Sequence, residues 1–377
     1  MKNAISLFCS SGIGDLGLRA NGVNTIIANE LLPERARLFQ ANYPECKMFL
    51  GNIWALKEEI ISYYNVNYSE RPFLVLATPP CQGMSSNGMG KMLNDYRKGL
   101  RPKFDERNRL ILPTLDIIVA LQPEWVIFEN VPNMQNTLIY DENGNLINII
   151  EYILSRLGTE YVGKAEVVDV ANYGVPQNRK RLITILSRTE AAKAYFSTHH
   201  TFIPDPTHGR EGTLFVHPWV TVRDAISEVP AIDGKKGKNA LPDYHPLHKV
   251  PPLDDKKYTW VMHTPEGETA FNNQCVNPEC GYQGNQRHGA KKVRGINQAC
   301  NDTPLYCEKC GSLLPRPYVE DKDGTPRLMK GFVSAYKRMR WDEPASTLTQ
   351  NFQFACSDNK LHPSQNRVLS IYEALIL

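Results

Sequence analysis

The chain has 377 residues, 42% of them hydrophobic, enough for one large core plus a second domain or a long insertion. A net charge of +3 and a pI near 8.3 permit a nucleic-acid partner without requiring one. No apolar stretch reaches the length of a membrane span, the N-terminus lacks a signal-peptide layout, and nine cysteines with mostly unpaired spacing fit a reducing cytoplasm.

Short apolar runs at residues 4–8, 25–29, 73–77, 125–128, 161–169 and 181–186 read as strands. Residues 34–42, 52–64 and 109–121 between them read as amphipathic helices. Such alternation predicts an α/β fold built on a mostly parallel, doubly wound sheet. From Thr201 to about Arg327 the chain is rich in Pro, Gly, His and Asn and loses its periodicity, as an irregular second domain or insertion would. Further on, residues 332–339 read as a basic helix and residues 366–377 as the opening of an apolar one, with no glycine or polar cap to end it.

Several motifs fall just past the candidate strands, where open α/β sheets gather their ligands. Phe8-Cys9-Ser10-Ser11-Gly12-Ile13-Gly14-Asp15-Leu16-Gly17 forms a glycine-rich turn after the first strand, suited to close approach of a cofactor. Glu30, ending the second strand, is placed to accept from two ribose hydroxyls, and Asn52 to read an adenine amino group. A helix-start carboxylate is the plainer alternative for Glu30.

Pro79-Pro80-Cys81-Gln82 follows the third apolar run, so that two prolines fix the backbone ahead of a thiol pointing into the cleft. Glu129-Asn130-Val131 follows the fourth, and an apolar setting there would suit Glu129 to proton donation. A nucleophilic cysteine paired with an acid suits attack on an electron-poor ring. Gln177, Arg179 and Arg181 alternate along an extended segment and would line one side of it, the arginines suiting carbonyl oxygens and phosphates. A buried structural cysteine, a strand-end carboxylate and a solvated basic face are the respective alternatives. Cys46 and Cys356 read as ordinary small residues.

In this order the pieces resemble the DNA (cytosine-5) methyltransferase family. Arg340-Trp341-Asp342-Glu343-Pro344-Ala345-Ser346-Thr347-Leu348-Thr349 is similar to the segment that follows that family's recognition domain, and the match spans residues 4–188 and 330–377. The resemblance implies a Rossmann-like catalytic domain over 1–200, a target-recognition domain over 201–328 and a return to the catalytic domain over 329–377. It implies S-adenosylmethionine as cofactor, held by Phe8, Ser10, Ser11, Gly12, Ile13, Glu30, Leu31, Asn52, Ile53 and Pro79. Cys81 would attack carbon 6 of a cytosine flipped from double-stranded DNA. Glu129 would bond to ring nitrogen 3, and Arg179 and Arg181 would hold the base carbonyl and nearby backbone.

Asp15 stands where many members have glycine, Asn52 replaces the usual Asp, and Met84 a frequent Phe. The family's last motif should follow residues 367–377 and is absent, so either the chain is truncated or a second polypeptide supplies it, with weak cofactor binding and little turnover expected of this chain alone. A prokaryotic or phage restriction-modification or defence setting is expected, in the cytoplasm and without a membrane. The rival readings are an RNA cytosine-5 methyltransferase and a DNA-binding subunit inactive without a partner.

Inside the irregular region, Cys275-x4-Cys280-Gly and Cys307-x2-Cys310-Gly form two knuckles separated by 26 residues. Four thiolates at this spacing match a structural zinc ribbon over about 270–315, with no position open for a catalytic water. The intervening Arg287-His288 and Lys291-Lys292-Val293-Arg294-Gly295 form a basic finger suited to phosphates or guanine edges.

Overall fold

The apolar runs of the first half become one seven-stranded sheet in the computed structural model, which describes residues 2–80, 105–293, 296–299, 303–330, 334–356 and 359–377. Its strands are β1 (Lys2–Leu7), β2 (Val23–Glu30), β3 (Lys47–Leu50), β4 (Leu74–Ala77), β5 (Trp125–Asn130), β6 (Val162–Asp169) and β7 (Lys180–Ser187), in the order β3-β2-β1-β4-β5-β7-β6. Neighbours from β3 to β5 pair parallel, and β7 pairs antiparallel to β5 with Ile183 opposite Glu129. The fold is therefore mixed α/β around a mostly parallel sheet, as the alternation predicts.

Leu74-Val75-Leu76-Ala77 is buried along its whole length, the mark of a strand covered on both faces. Ile5, Leu7, Ile27, Val75, Val126 and Phe128 of the strands share one core with Ile60, Leu115, Ile118 and Ile153 of the helices Ile53–Asn67, Ile111–Leu121 and Ile149–Leu157. Truncating one of these large side chains to alanine costs ~2–5 kcal/mol.

Several elements fall outside the sequence expectation. β3 is a four-residue strand with Lys47 and Leu50 exposed, too short for a periodic signal. The helices Ile13–Ala20, Ile149–Leu157 and Glu190–His199 were not anticipated either. The basic helix expected over 332–339 does not form among the described residues of that span. Lys337 and Arg338 instead make isolated bridges to Thr269 and Leu361. The final helix is confined to Ile371–Ile376, opened by a capping box between Ser370 and Glu373.

The chain divides into two units, Met1–Val168 with Lys180–Asp205, and Asp169–Arg179 with Pro206–Leu377. In the second unit residues 329–377 group with the irregular region. Its apolar core is small, centred on Trp260, Val261, Phe271, Tyr336, Leu361 and Val368. Among the described residues, no helix is long and apolar enough to cross a membrane.

Candidate active site

The glycine-rich turn after β1 is held in an unusual backbone conformation. Phe8, Ser10 and Gly12 all have positive φ (60°, 51° and 85°), a strain that non-glycine residues adopt only where the surroundings impose it. A Cβ on Gly12 would lie 2.5 Å from the Tyr43 ring and 2.9 Å from Phe39, so only glycine fits. The Tyr43 hydroxyl donates to the Gly12 carbonyl at 2.9 Å, and the Thr78 hydroxyl to the Phe8 carbonyl at 3.0 Å. These two braces from distant segments carry no motif of their own and are invisible in the sequence.

Glu30 closes the turn from the neighbouring strand. One carboxylate oxygen accepts from the Ser10 amide at 2.9 Å, and the other from the Leu31 and Leu32 amides at 2.8 and 2.9 Å. A carboxylate offers about four lone-pair positions, so roughly one remains.

Beside the turn, Ile13 and Leu31 are exposed, as residues lining a ligand site must be. Ile53 is buried in the sheet core. Asn52 is exposed, but its side-chain oxygen accepts from the Trp54 amide at 3.1 Å and caps the helix Ile53–Asn67. Ser11 is half-buried.

Asp15, the departure from glycine, is buried and accepts from the Ser6 and Thr25 hydroxyls at 3.1 and 2.7 Å. Burial raises its carboxyl above the usual carboxylate range, and the two hydroxyls offset that. It ties the first helix to β1 and β2 and plays no part at the turn's open face.

At the ends of β4 and β5 a second set of groups meets. The Asn130 amide donates to the Pro79 carbonyl at 3.0 Å, while its oxygen accepts from the Val131 amide at 2.9 Å. Asn130 thereby ties the buried Pro79 to the strand end that carries Glu129. Cys81 itself, with Gln82 and Met84, lies outside the described residues.

Glu129 is not in the apolar setting expected of it. It is half-buried, and its Oε1 lies 2.7 Å from Nε of Arg181 on the adjacent antiparallel strand. Arg181 also donates to the Lys180 carbonyl at 2.8 Å.

Burial pushes the thiols of Cys9 and Cys46 up, which removes both as nucleophiles.

In the second unit, Gln177 does not line a cleft with the arginines. It is buried, its oxygen accepting from the Leu348 amide at 3.1 Å and its nitrogen donating to the Leu377 carbonyl at 3.2 Å. With the parallel bridge of Gln177 and Asn178 to Ala345 and Ser346, it docks the 340–349 segment. Arg179 is half-buried, and its amide donates to Asp169 at 2.9 Å.

The four knuckle sulfurs converge. All lie within 4.8 Å of one another, with Sγ–Sγ separations of 3.7 Å for Cys275–Cys310 and 3.9 Å for Cys280–Cys307. Sulfurs around a zinc at ~2.3 Å bonds sit ~3.8 Å apart on a tetrahedron edge, so the donor set fits that ion. Gly281 and Gly311 have positive φ (56° and 72°), which lets each knuckle turn back after its second cysteine. The Gly311 amide donates to the Cys307 carbonyl at 2.9 Å, and the Cys307 amide to the Ser312 carbonyl at 2.8 Å. Between the knuckles Ala290–Val293 pairs antiparallel with Ile296–Ala299, so a β-ribbon carries the basic segment. Arg294 and Gly295 lie outside the described residues, as does Cys300.

A strained glycine turn, a strand-end acid paired with arginine and a mostly parallel sheet together define a mixed α/β fold with its polar groups gathered at one sheet edge. The model for C-5 cytosine-specific DNA methylases matches residues 2–377, and the chain belongs to that family, the DNA (cytosine-5) methyltransferases. Type II methyltransferase M1.HgaI of Avibacterium volantium is 29% identical over 99% of this chain and 86% of its own length. Type II methyltransferase M.AquIA of Picosynechococcus is 30% identical over 61% of this chain and 89% of its own. An E. coli prophage-encoded protein, whose crystal structure is described as that of a DNA modification methyltransferase, shares the fold with a TM-score of 0.56 at 18% identity, covering 100% of this chain and 88% of that one.

Proposed function

We propose that the chain methylates carbon 5 of a cytosine flipped out of duplex DNA, as the modification enzyme of a type II restriction-modification system in a prokaryotic or phage-infected cytoplasm. The junction at the sheet edge carries this reading. Asn130 fixes Pro79, two residues ahead of Cys81, against the strand end where Glu129 meets Arg181. In this reading the Cys81 thiol acts together with the acid that Arg181 holds.

The reaction needs that pairing. Cytosine carbon 5 is a weak nucleophile in the intact aromatic ring. Attack by the Cys81 thiolate on carbon 6 breaks the 5,6 double bond and leaves an electron-rich carbon 5. Glu129 hydrogen-bonds at ring nitrogen 3 and shares a proton there, drawing in the electron pair as the carbon–sulfur bond forms. Arg181 holds Glu129 in position, and with Arg179 it supplies donors for the base carbonyl and flanking phosphate. S-adenosylmethionine, when bound, supplies an electrophilic methyl group to carbon 5. Loss of the carbon 5 proton then expels the Cys81 thiolate and restores aromaticity. None of this can occur within the base stack, which is why the base must leave it.

Phe8, Ser10, Ser11, Gly12, Ile13, Glu30, Leu31 and Pro79 are the residues suited to hold the cofactor, with the free Glu30 lone pair on the ribose. The Asn52 side-chain oxygen, which accepts once from the Trp54 amide, keeps a second lone pair for the adenine amino group. A structural zinc held by Cys275, Cys280, Cys307 and Cys310 would fix the ribbon that presents the basic segment to DNA. Bisulfite sequencing of DNA from cells expressing the chain tests the reading. Cytosines protected at one short recurring sequence support it, and their absence in the presence of folded protein contradicts it.

A further inference from the structure

Among the described residues three arginines of the second unit are buried, and each disposes of its charge differently. Arg367 grips Glu373 with both terminal nitrogens, each at 2.7 Å. Arg338 donates to the carbonyls of Val261, Thr264, His362 and Gln365 and to the Asn366 side chain. Arg316 has neither solution. It is 0% exposed, it reaches only the carbonyls of Asn273 (2.8 Å) and Pro304 (2.7 Å), and its second terminal nitrogen has no partner. No carboxylate pairs with it among the described residues. A buried cation without a counter-charge costs several kcal/mol and is rarely retained without one.

The two carbonyls that hold Arg316 lie on the segments leading into the cysteine knuckles. Asn273 lies two residues ahead of Cys275 and Pro304 three ahead of Cys307, so Arg316 bridges the segments that deliver the first cysteine of each knuckle. The Leu314 amide, two residues earlier, donates to the Leu305 carbonyl at 2.9 Å, and its side chain packs against Cys275 and Cys307. Burial draws the guanidinium down against the opposing pull of Glu308 and Cys307, to about 10, and it remains a cation at neutral pH.

We propose that Arg316 is the buried counter-cation of the metal-loaded thiolate cluster. Four thiolates and one divalent ion sum to a charge of −2, and one guanidinium in the low-dielectric interior offsets half of it while tying the two knuckles together. The inference rests on the zinc reading above. It makes Arg316 a positioning residue for the metal, comparable to the outer partners that orient ligands at other sites.

The charge argument has a consequence that carbonyl bridging alone lacks. Without the metal nothing gathers the four sulfurs into one anionic cluster, and Arg316 is left as a buried cation without it. The side chain therefore stabilises the loaded protein and burdens the stripped one. Replacing it by an uncharged chain of similar length must act with opposite sign in the two states.

The test compares the full chain with its R316M and R316K variants. Zinc affinity is measured by competition with a chromophoric chelator, and thermal midpoints are recorded with zinc and after chelation. R316M is expected to bind zinc ~10–100-fold more weakly, to melt below the parent when loaded, and to melt at or above it when stripped. R316K keeps the charge without the fork, and its affinity is expected to stay within a few-fold of the parent. Parent-like zinc affinity in R316M would overturn the proposal, as would an equal loss of midpoint in both states, which is the signature of carbonyl bridging alone. If R316M does not fold, a large affinity loss in the folded R316K variant overturns it instead. Failure of the parent chain to take up a divalent ion would sink the zinc reading first, and this inference with it.

Discussion

The sheet unit and the knuckle-bearing unit bury their polar groups in opposite ways. In the first, a continuous apolar core holds the strands, and the polar contacts gather at one edge, where backbone amides converge on Glu30 and Asn130 holds Pro79. In the second, the apolar core is small, and among the described residues arginines, histidines, a glutamate and the cysteines Cys275 and Cys307 are buried. A unit held by apolar burial tolerates changes in protons and metal ions. One held by buried charge and thiolates depends on both, and its stability becomes a function of conditions.

That contrast can be broken by mutation. The largest effect is expected from Glu129→Gln, which keeps the shape and removes the shared proton. Methyl transfer should fall ~10²–10⁴-fold, with thermal stability nearly unchanged because the position is half-exposed. A comparable loss of stability would mean that the ion pair with Arg181 is structural. Next comes the metal. Chelation, or Cys307→Ser, should abolish tight DNA binding while cofactor affinity, measured by titration calorimetry, stays as it was. If both fall together, the knuckles support the sheet unit as well.

Glu30→Ala should weaken S-adenosylmethionine binding ~10–100-fold, the loss of hydrogen bonds to a charged acceptor, with no change in zinc content. The smallest effect is a pH dependence confined to the second unit. His362 is buried among Arg338, Arg367, Glu373 and His248, and burial draws its imidazole down to about 3 from an ordinary value near 6.5. The unfolded chain therefore takes up a proton that the folded chain refuses. Stability present above pH 6.5 is lost on the way down towards 3, by about 1.4 kcal/mol per pH unit at most. Glu373, held below its ordinary range against burial by Arg367, adds to the loss at lower pH. The acid slope of the melting midpoint should flatten in His362→Asn.

The same contrast explains what was legible in the sequence. Strands buried on both faces announce themselves as unbroken apolar runs, so β1, β2, β4 and β5 fell close to their predicted positions, and Glu129 and Cys81 stood out because they follow such runs. The cysteine knuckles were equally plain, since ligand spacing is local. Tyr43 and Thr78, which brace the turn, were not legible, because a hydroxyl reaching a carbonyl across more than 30 residues leaves no pattern. Gln177 misled for a related reason. Alternation along a strand says which residues share a face, not whether that face meets a ligand or, as here, the backbone of Leu348. In the second unit, residues 334–339 imitate a helix while their backbone bonds to Glu268, Leu361 and Ala355, partners that no local reading could supply.

The most direct test of the account is covalent capture. The full chain is incubated with S-adenosylmethionine and duplex DNA carrying 5-fluorocytosine in place of cytosine, then denatured and resolved by size. Fluorine cannot leave as the carbon 5 proton does, so a sulfur bonded to carbon 6 should persist as a protein–DNA species that maps to Cys81 and is missing in Cys81→Ser. Methylation of ordinary DNA by that serine variant at the parent rate, with no trapped species from either protein, would contradict the account.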